Sequence, residues 1–284
     1  QPSTGRPQPP RPLDGDVVAF ADTSDRRIAL AQWLTSKDNG YFAKSITNRV
    51  WANYLGVGLV EPVDDMRVTN PASNQELLDA AADYLVQQNF DLRQLMRVLL
   101  NSATYQRSSV AVEGNAGDRR FYSRYYPRRL KAEVLLDAVS QVTNVPTEFK
   151  DRAKGTRALQ LPDSSVDSYF LSTFGRPERI ITCDCERTDE PSVTQVLHLY
   201  NGDTVNNKLQ SKEGRIERLF AGEVAAADAV RGAYMEALSR EPTELESQRL
   251  TEIIESDDSA EQRRLVLEDL YWSLLTSKEF IFNH

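Results

Sequence analysis

Apolar residues recur at helical spacing through most of this 284-residue chain, and polar caps separate the runs. Residues 25–36 place Ile28, Leu30, Trp33 and Leu34 on one broad apolar side, with Ser24 positioned to accept from the free N–H groups of the first turn. Phe42, Ile46, Val50 and Tyr54 follow at four-residue intervals, flanked by Trp51 and Leu55, and Gly56 is a natural stop. After a loop over residues 56–65, Ser73 and Glu76 form a capping-box pattern ahead of Leu77, Leu78, Ala81 and Leu85. Asp91 heads a further run of Leu92, Leu95, Met96, Leu99 and Leu100. A polar break at 113–118 precedes a helix predicted over 128–142, with Leu130, Val134, Leu135, Ala138 and Val139 on its apolar side and Pro146 limiting its extension.

Residues 150–187 read differently. Gly, Pro, Ser and Asp punctuate short apolar runs at 157–161, 169–174 and 179–183, a pattern that predicts loops with short strands. Helical spacing resumes at Ser192, and Thr243 with Glu246, then Ser259 with Gln262, introduce the last two helices. An echo links two distant runs: Leu95, Leu99, Leu100, Ser102 and Tyr105 match Leu270, Leu274, Leu275, Ser277 and Phe280 in kind and spacing. The expected fold is mainly α, a multi-helix domain over residues 23–284 with a small loop- or β-containing insert at about 150–187. Its two-lobed variant divides into 23–149 and 188–284. Residues 1–22 are Pro-rich and read as an extended linker from an upstream domain. With Gln1 rather than Met first, the chain reads as a processed or excised piece of something longer.

Composition narrows the function. There are 42 acidic and 34 basic residues, a net charge of −8, which argues against a nucleic-acid partner because that needs a concentrated basic surface. No apolar run approaches the roughly 20 residues of a membrane span. Gly-rich phosphate loops, zinc-protease helices and Gly-x-Ser-x-Gly elbows are all missing, which weakens the ordinary hydrolase and nucleotide-enzyme readings.

The chain's 2 cysteines stand one residue apart, Cys183 and Cys185. In an extended segment both thiols face one way, and with His198 they offer three ligands to Zn or Cu. A closed zinc site wants four, and the other imidazole is His284, at the chain end. Quiet burial or a local disulfide competes with the metal reading, and no cofactor is expected on that account. Glu133 and Asp137 share one helix face and suit acid–base or metal work, or else ion pairing with Arg128 and Arg129. Asp64 and Asp65 supply too few oxygens for a hard cation and suit loop-shaping bonds instead. Asn48, Arg49 and Trp51 are placed to line a groove near that loop, with Trp51 better read as core and Arg49 as an ion-pair partner. Tyr122, Tyr125, Tyr126 and Tyr169 bind polysaccharide if exposed; packing is the default.

Several ordered blocks, among them RRIALAQWLTSKDNGYFAKSITNRVWANYLGVGLVEPVDDMR, NPASNQELLDAAADYLV, PRRLKAEVLLDAV and FGRPERIITCDCERTDEPSVTQVLHLYNGD, resemble a planctomycete-specific family of unknown function. Gly40 and Ala72 depart from it where proline is expected. The resemblance implies the C-terminal part of a large exported protein, in a periplasmic or otherwise extracytoplasmic setting. It also implies a second domain of unknown function and often a c-type cytochrome domain as neighbours; without Cys-x-x-Cys-His this chain attaches no c-type haem of its own. The functional expectation is an interaction, scaffold or ligand-binding module. The alternative is a metal-dependent or redox enzyme domain centred on Cys183, Cys185 and His198.

Overall fold

The computed structural model describes residues 4–13, 15–19, 25–180, 187, 191–256 and 259–283. The architecture is mainly α, with one two-stranded antiparallel pairing among the described residues. None of the described helices is long and apolar enough to cross a membrane. The chain divides into two compact units, residues 1–127 and 128–283.

The first unit contains α1 (Arg26–Leu34), α2 (Gly40–Leu55), α3 (Gln75–Gln87) and α4 (Leu92–Leu100). Asp25 caps α1, accepting from Arg27 N, while the expected cap Ser24 lies outside the described residues. The apolar side of α1 is not core: none of its residues is buried, and Ile28 and Leu30 are about half exposed. The preceding residues are not simply extended, because Val18 N donates to Pro10 O and Gly15 N to Pro12 O.

On α2 the buried line is Ala43, Thr47, Trp51 and Leu55, one residue round from the expected Phe42, Ile46, Val50 and Tyr54. A one-residue shift turns a helix by about 100°. The cause is the 56–63 loop, which lies on Asn48. The Asn48 amide donates to Val60 O at 2.9 Å and Val63 O at 3.0 Å, and its Oδ1 accepts from Val60 N at 3.0 Å. With the loop held there, small and polar residues face inward while Ile46 and Val50 pack at the edge of the core. Gly58 is part of this closure, since a Cβ there would sit 2.5 Å from Val60 O.

Helix α3 is capped by Asn74, whose side chain accepts from Leu77 N, rather than by Ser73; the Ser73 backbone N–H is committed to Leu59 O at 2.7 Å. Asp91 caps α4 as its sequence suggests, accepting from Arg93 N and Gln94 N. Helices α2, α3 and α4 bury Leu78, Leu85, Leu95 and Leu99 around Trp51. Tyr122 and Tyr125 then return over α2, donating to Val57 O and Tyr54 O. These two tyrosines are buried packing groups.

The second unit begins with β1 (Arg128–Arg129), which pairs with β2 (Phe282–Asn283) near the chain's end. The helix expected from Arg128 therefore starts later, as α5 (Ala132–Thr143), because Arg128 and Arg129 are extended by that pairing. The expected strands of the insert are helical turns among the described residues: a 3₁₀ turn at Ala158–Gln160 and α6 (Tyr169–Thr173). Asp137 on α5 fixes the first by accepting from Ala158 N and Leu159 N. The rest is helical: α7 (Val193–Asn201), α8 (Asp203–Leu209), α9 (Arg215–Ala221), α10 (Ala226–Leu238), α11 (Glu244–Glu255), α12 (Ala260–Leu275) and α13 (Lys278–Ile281). Reciprocal capping boxes start α7 and α11. The core gathers Leu135, Leu136 and Val139 of α5 with Val230 and Ala233 of α10 and Tyr271 and Leu275 of α12.

The echoed runs end alike. Ser102 accepts from Tyr105 N and Ser277 from Phe280 N, both at 3.2 Å, one in each unit.

Replacing Asn48 by Ala leaves Val60 N, Val60 O and Val63 O without their partner and should lower unfolding stability by about 3 kcal/mol. Arg49→Ala, which removes the surface pair with Asp64 at 2.6 Å, should cost less than about 1 kcal/mol. Urea titrations of both variants check the contrast; equal losses would show that Asn48 does not hold the loop.

Candidate functional site

An open cleft of about 620 Å³ lies in the second unit, where the loop after α5 meets α6, α7 and α8. His198 comes to it from α7, Tyr169 and Phe170 from α6, Thr204 and Lys208 from α8, and Val145 from the loop. The join between α7 and α8 decides where His198 can sit. Gly202 ends one helix and opens the next, and a Cβ on it would lie 2.2 Å from His198 O and 2.7 Å from His198 Nδ1. With glycine there, the imidazole folds over the junction, and Nε2 lies 3.0 Å from Thr204 Oγ1. Three rings meet it edge-on: Tyr169 at 5.2 Å, Phe170 at 5.6 Å and Phe174 at 6.2 Å between centroids. Burial among them lowers the His198 pKa, opposed by the Asp203 carboxylate, which on balance favours the uncharged ring.

Lys208 is the unusual group. It shares the inner face of α8 with Val205 and Leu209 and is only 8% exposed. Its Nζ donates to Val145 O at 2.7 Å, and among the described residues no carboxylate lies within ion-pair distance. Burial pulls its pKa down to about 8. A buried ammonium without a counter-ion is costly and is a recurrent mark of functional sites. Glu148, Asp203 and Asn207 also line the cleft, the last two on α8 with Lys208.

Of the residues singled out from sequence, His198 is in this cleft, whereas Cys183, Cys185 and His284 lie outside the described residues. Among the described residues no three His, Cys, Asp or Glu side chains are grouped to hold a metal. Arg187, two positions after Cys185, forms a two-pronged bond to Glu133 at 2.9 and 3.0 Å. Arg176 approaches the same carboxylate at 3.9 Å. Burial raises the Glu133 pKa, but the Arg187 bonds and both positive charges outweigh it and the net shift is downward. Glu133, on α5, therefore pairs with Arg187, and Asp137 caps a turn. Asp64 and Asp65 are paired with Arg49 and Arg67.

The family described as PSD1, protein of unknown function (DUF1553), matches residues 26–254. The chain belongs to this family. No curated protein and no solved structure matches the chain. The PSD1 match includes the whole cleft and ends before α12, which supplies Leu267, Leu270, Tyr271, Leu274 and Leu275 to the core beneath it.

Lys208 was legible in principle. Val205, Lys208 and Leu209 stand at i, i+3 and i+4, a lysine inside an apolar stripe, and that is the signal a charge count overlooks. Tyr169 drew notice only as one aromatic among several.

Gly202→Ala should destabilise the chain by about 2 kcal/mol or more, because backbone has to move to admit the methyl group. Thermal unfolding measures it, and an unchanged midpoint would show the junction to be loose. Lys208 favours its neutral form in the fold, so wild-type stability should rise with pH between about 8 and 10.5. Relative to Lys208→Met the gain should reach up to about 3 kcal/mol. A pH-independent difference between the two proteins would mean that the ammonium is fully hydrated in the folded state.

Proposed function

We propose that this chain is a ligand-binding and interaction module of a larger cell-envelope protein, working outside the cytoplasm, with the His198–Lys208 cleft as its binding surface. The carrying observation is the cleft wall: a nearly buried ammonium with one backbone acceptor, lining the same cleft as an imidazole ringed by aromatics. Binding is favoured over catalysis by the way these groups are held. His198 is positioned by a hydroxyl and by ring edges, and the Asp203 carboxylate acts on it through its charge without a hydrogen bond among the described residues. Upstream domains of the same polypeptide, a c-type cytochrome domain among them, are the proposed neighbours, and a planctomycete origin accompanies that arrangement.

Titrating the isotopically labelled chain with a panel of oligosaccharides, amino acids and short peptides tests this reading. Saturable amide shifts confined to Gly202, Thr204, Asn207 and Lys208, with no chemical change in the bound compound, are the expected result. Turnover of a panel compound would replace the binding role with an enzyme. Stoichiometric Zn or Cu in protein purified without chelators, lost in a Cys183→Ser/Cys185→Ser variant, would move the functional centre to the cysteines.

A further inference from the structure

Resting on the binding role just proposed, the geometry points to a specific ligand class: an oligosaccharide that carries a carboxylate, with a sugar ring against Tyr169 and its acid group at Lys208. Tyr169 is 63% exposed although it belongs to a packed aromatic group. Among the described residues its ring contact is the edge contact to His198, which leaves ring surface open in the cleft. A flat, electron-rich face offers good contact to the C–H-bearing side of a pyranose, whose axial hydrogens are slightly positive. The neighbouring phenylalanines are buried and unavailable for this: Phe170 and Phe174 stack on each other at 4.3 Å.

Lys208 supplies the charge selection. An ammonium has three donors, and Val145 O takes one. An incoming carboxylate would supply the missing counter-charge and form charge-assisted bonds, the strong kind in a site shielded from water. A neutral sugar hydroxyl offers no such compensation. The remaining polar groups suit hydroxyls rather than a second anion. Asn207 both donates and accepts, Thr204 does likewise, and the Glu148 and Asp203 carboxylates accept from neighbouring hydroxyl pairs. Those two carboxylates also disfavour polyanions such as phosphate esters, so the ligand has its charge at one place and its hydroxyls elsewhere. The volume of about 620 Å³ accommodates a short oligomer, and the open form of the cleft suits a chain passing through rather than an enclosed small molecule.

Calorimetric titration of the whole chain with a cellotriose oxidised to a uronate on one ring, neutral cellotriose and acetate, a sugar-free carboxylate, tests this. The monouronate should bind at least 10-fold more tightly than either comparison compound. Tyr169→Ala and Lys208→Gln should each weaken it by 10-fold or more, with thermal unfolding confirming that both variants fold. Equal affinity for cellotriose, unaffected by Lys208→Gln, overturns the acid-group assignment. Equal affinity for acetate, unaffected by Tyr169→Ala, overturns the saccharide assignment while leaving a ligand-binding cleft intact. No heat with any of the three overturns the inference. The broader panel of amide shifts then decides separately whether the cleft binds anything.

Discussion

Burial of α5 on nearly every side is the constraint around which the second unit is organised. Ala132, Leu135, Leu136, Val139 and Val142 have almost no solvent access, and α6, α8, α9 and α10 all pack on this helix. A helix enclosed in this way exchanges a large apolar area with water, at roughly 25 cal/mol per Å². Its polar groups must then find partners inside the protein. They do: Glu133 takes Arg187, Asp137 caps the 3₁₀ turn, and Val142 O accepts from Arg215 at 2.6 Å. The packing of this one helix therefore dictates where several distant segments attach.

The cleft follows from the same constraint. Beyond Thr143 the chain leaves α5 through Asn144 in the left-handed conformation, and the Val145 carbonyl emerges toward α8. Lys208 reaches that carbonyl because Val205 and Leu209, beside it on α8, are drawn into the core. The hydrophobic effect thus carries the lysine inward, and the carbonyl compensates it only in part. The Gly202 junction sets the imidazole in the same cleft. A reactive-looking pair arises where two helix ends meet, which is where polar backbone and irregular geometry concentrate.

Elsewhere among the described residues several charged groups are paired and mechanical. Arg240 binds Glu246 and Glu279 and lies 5.0 Å over the Tyr234 ring, tying α10, α11 and α13 together. Its two-pronged bonds hold the Glu246 carboxyl at a pKa of about 2. Against that background of matched pairs, Lys208 stands out. In the first unit Asn48 does with one neutral amide what Arg240 does with charge, closing a loop on the helix that bears it.

How much was legible in the chain depends on the range of the interaction. Period and caps are local, so the helical class, the Asp91 and Thr243 caps and the start of α7 at Ser192 could be read directly. The errors share one cause, a partner far away in sequence. Arg128 and Arg129 left the helix for residues 282 and 283, and the α2 stripe turned because a loop 12 residues on settled upon Asn48. The runs at 157–161 and 169–174 became turns rather than strands because Asp137 and the apolar surface of α5 were there to receive them. His198 was singled out as an imidazole that could join the cysteines, while the apolar stripe that contains Lys208 was passed over. Their meeting in one cleft required Gly202, the end of α5 and the α6 rings to arrive together, and no local pattern encodes a contact between segments 60 residues apart.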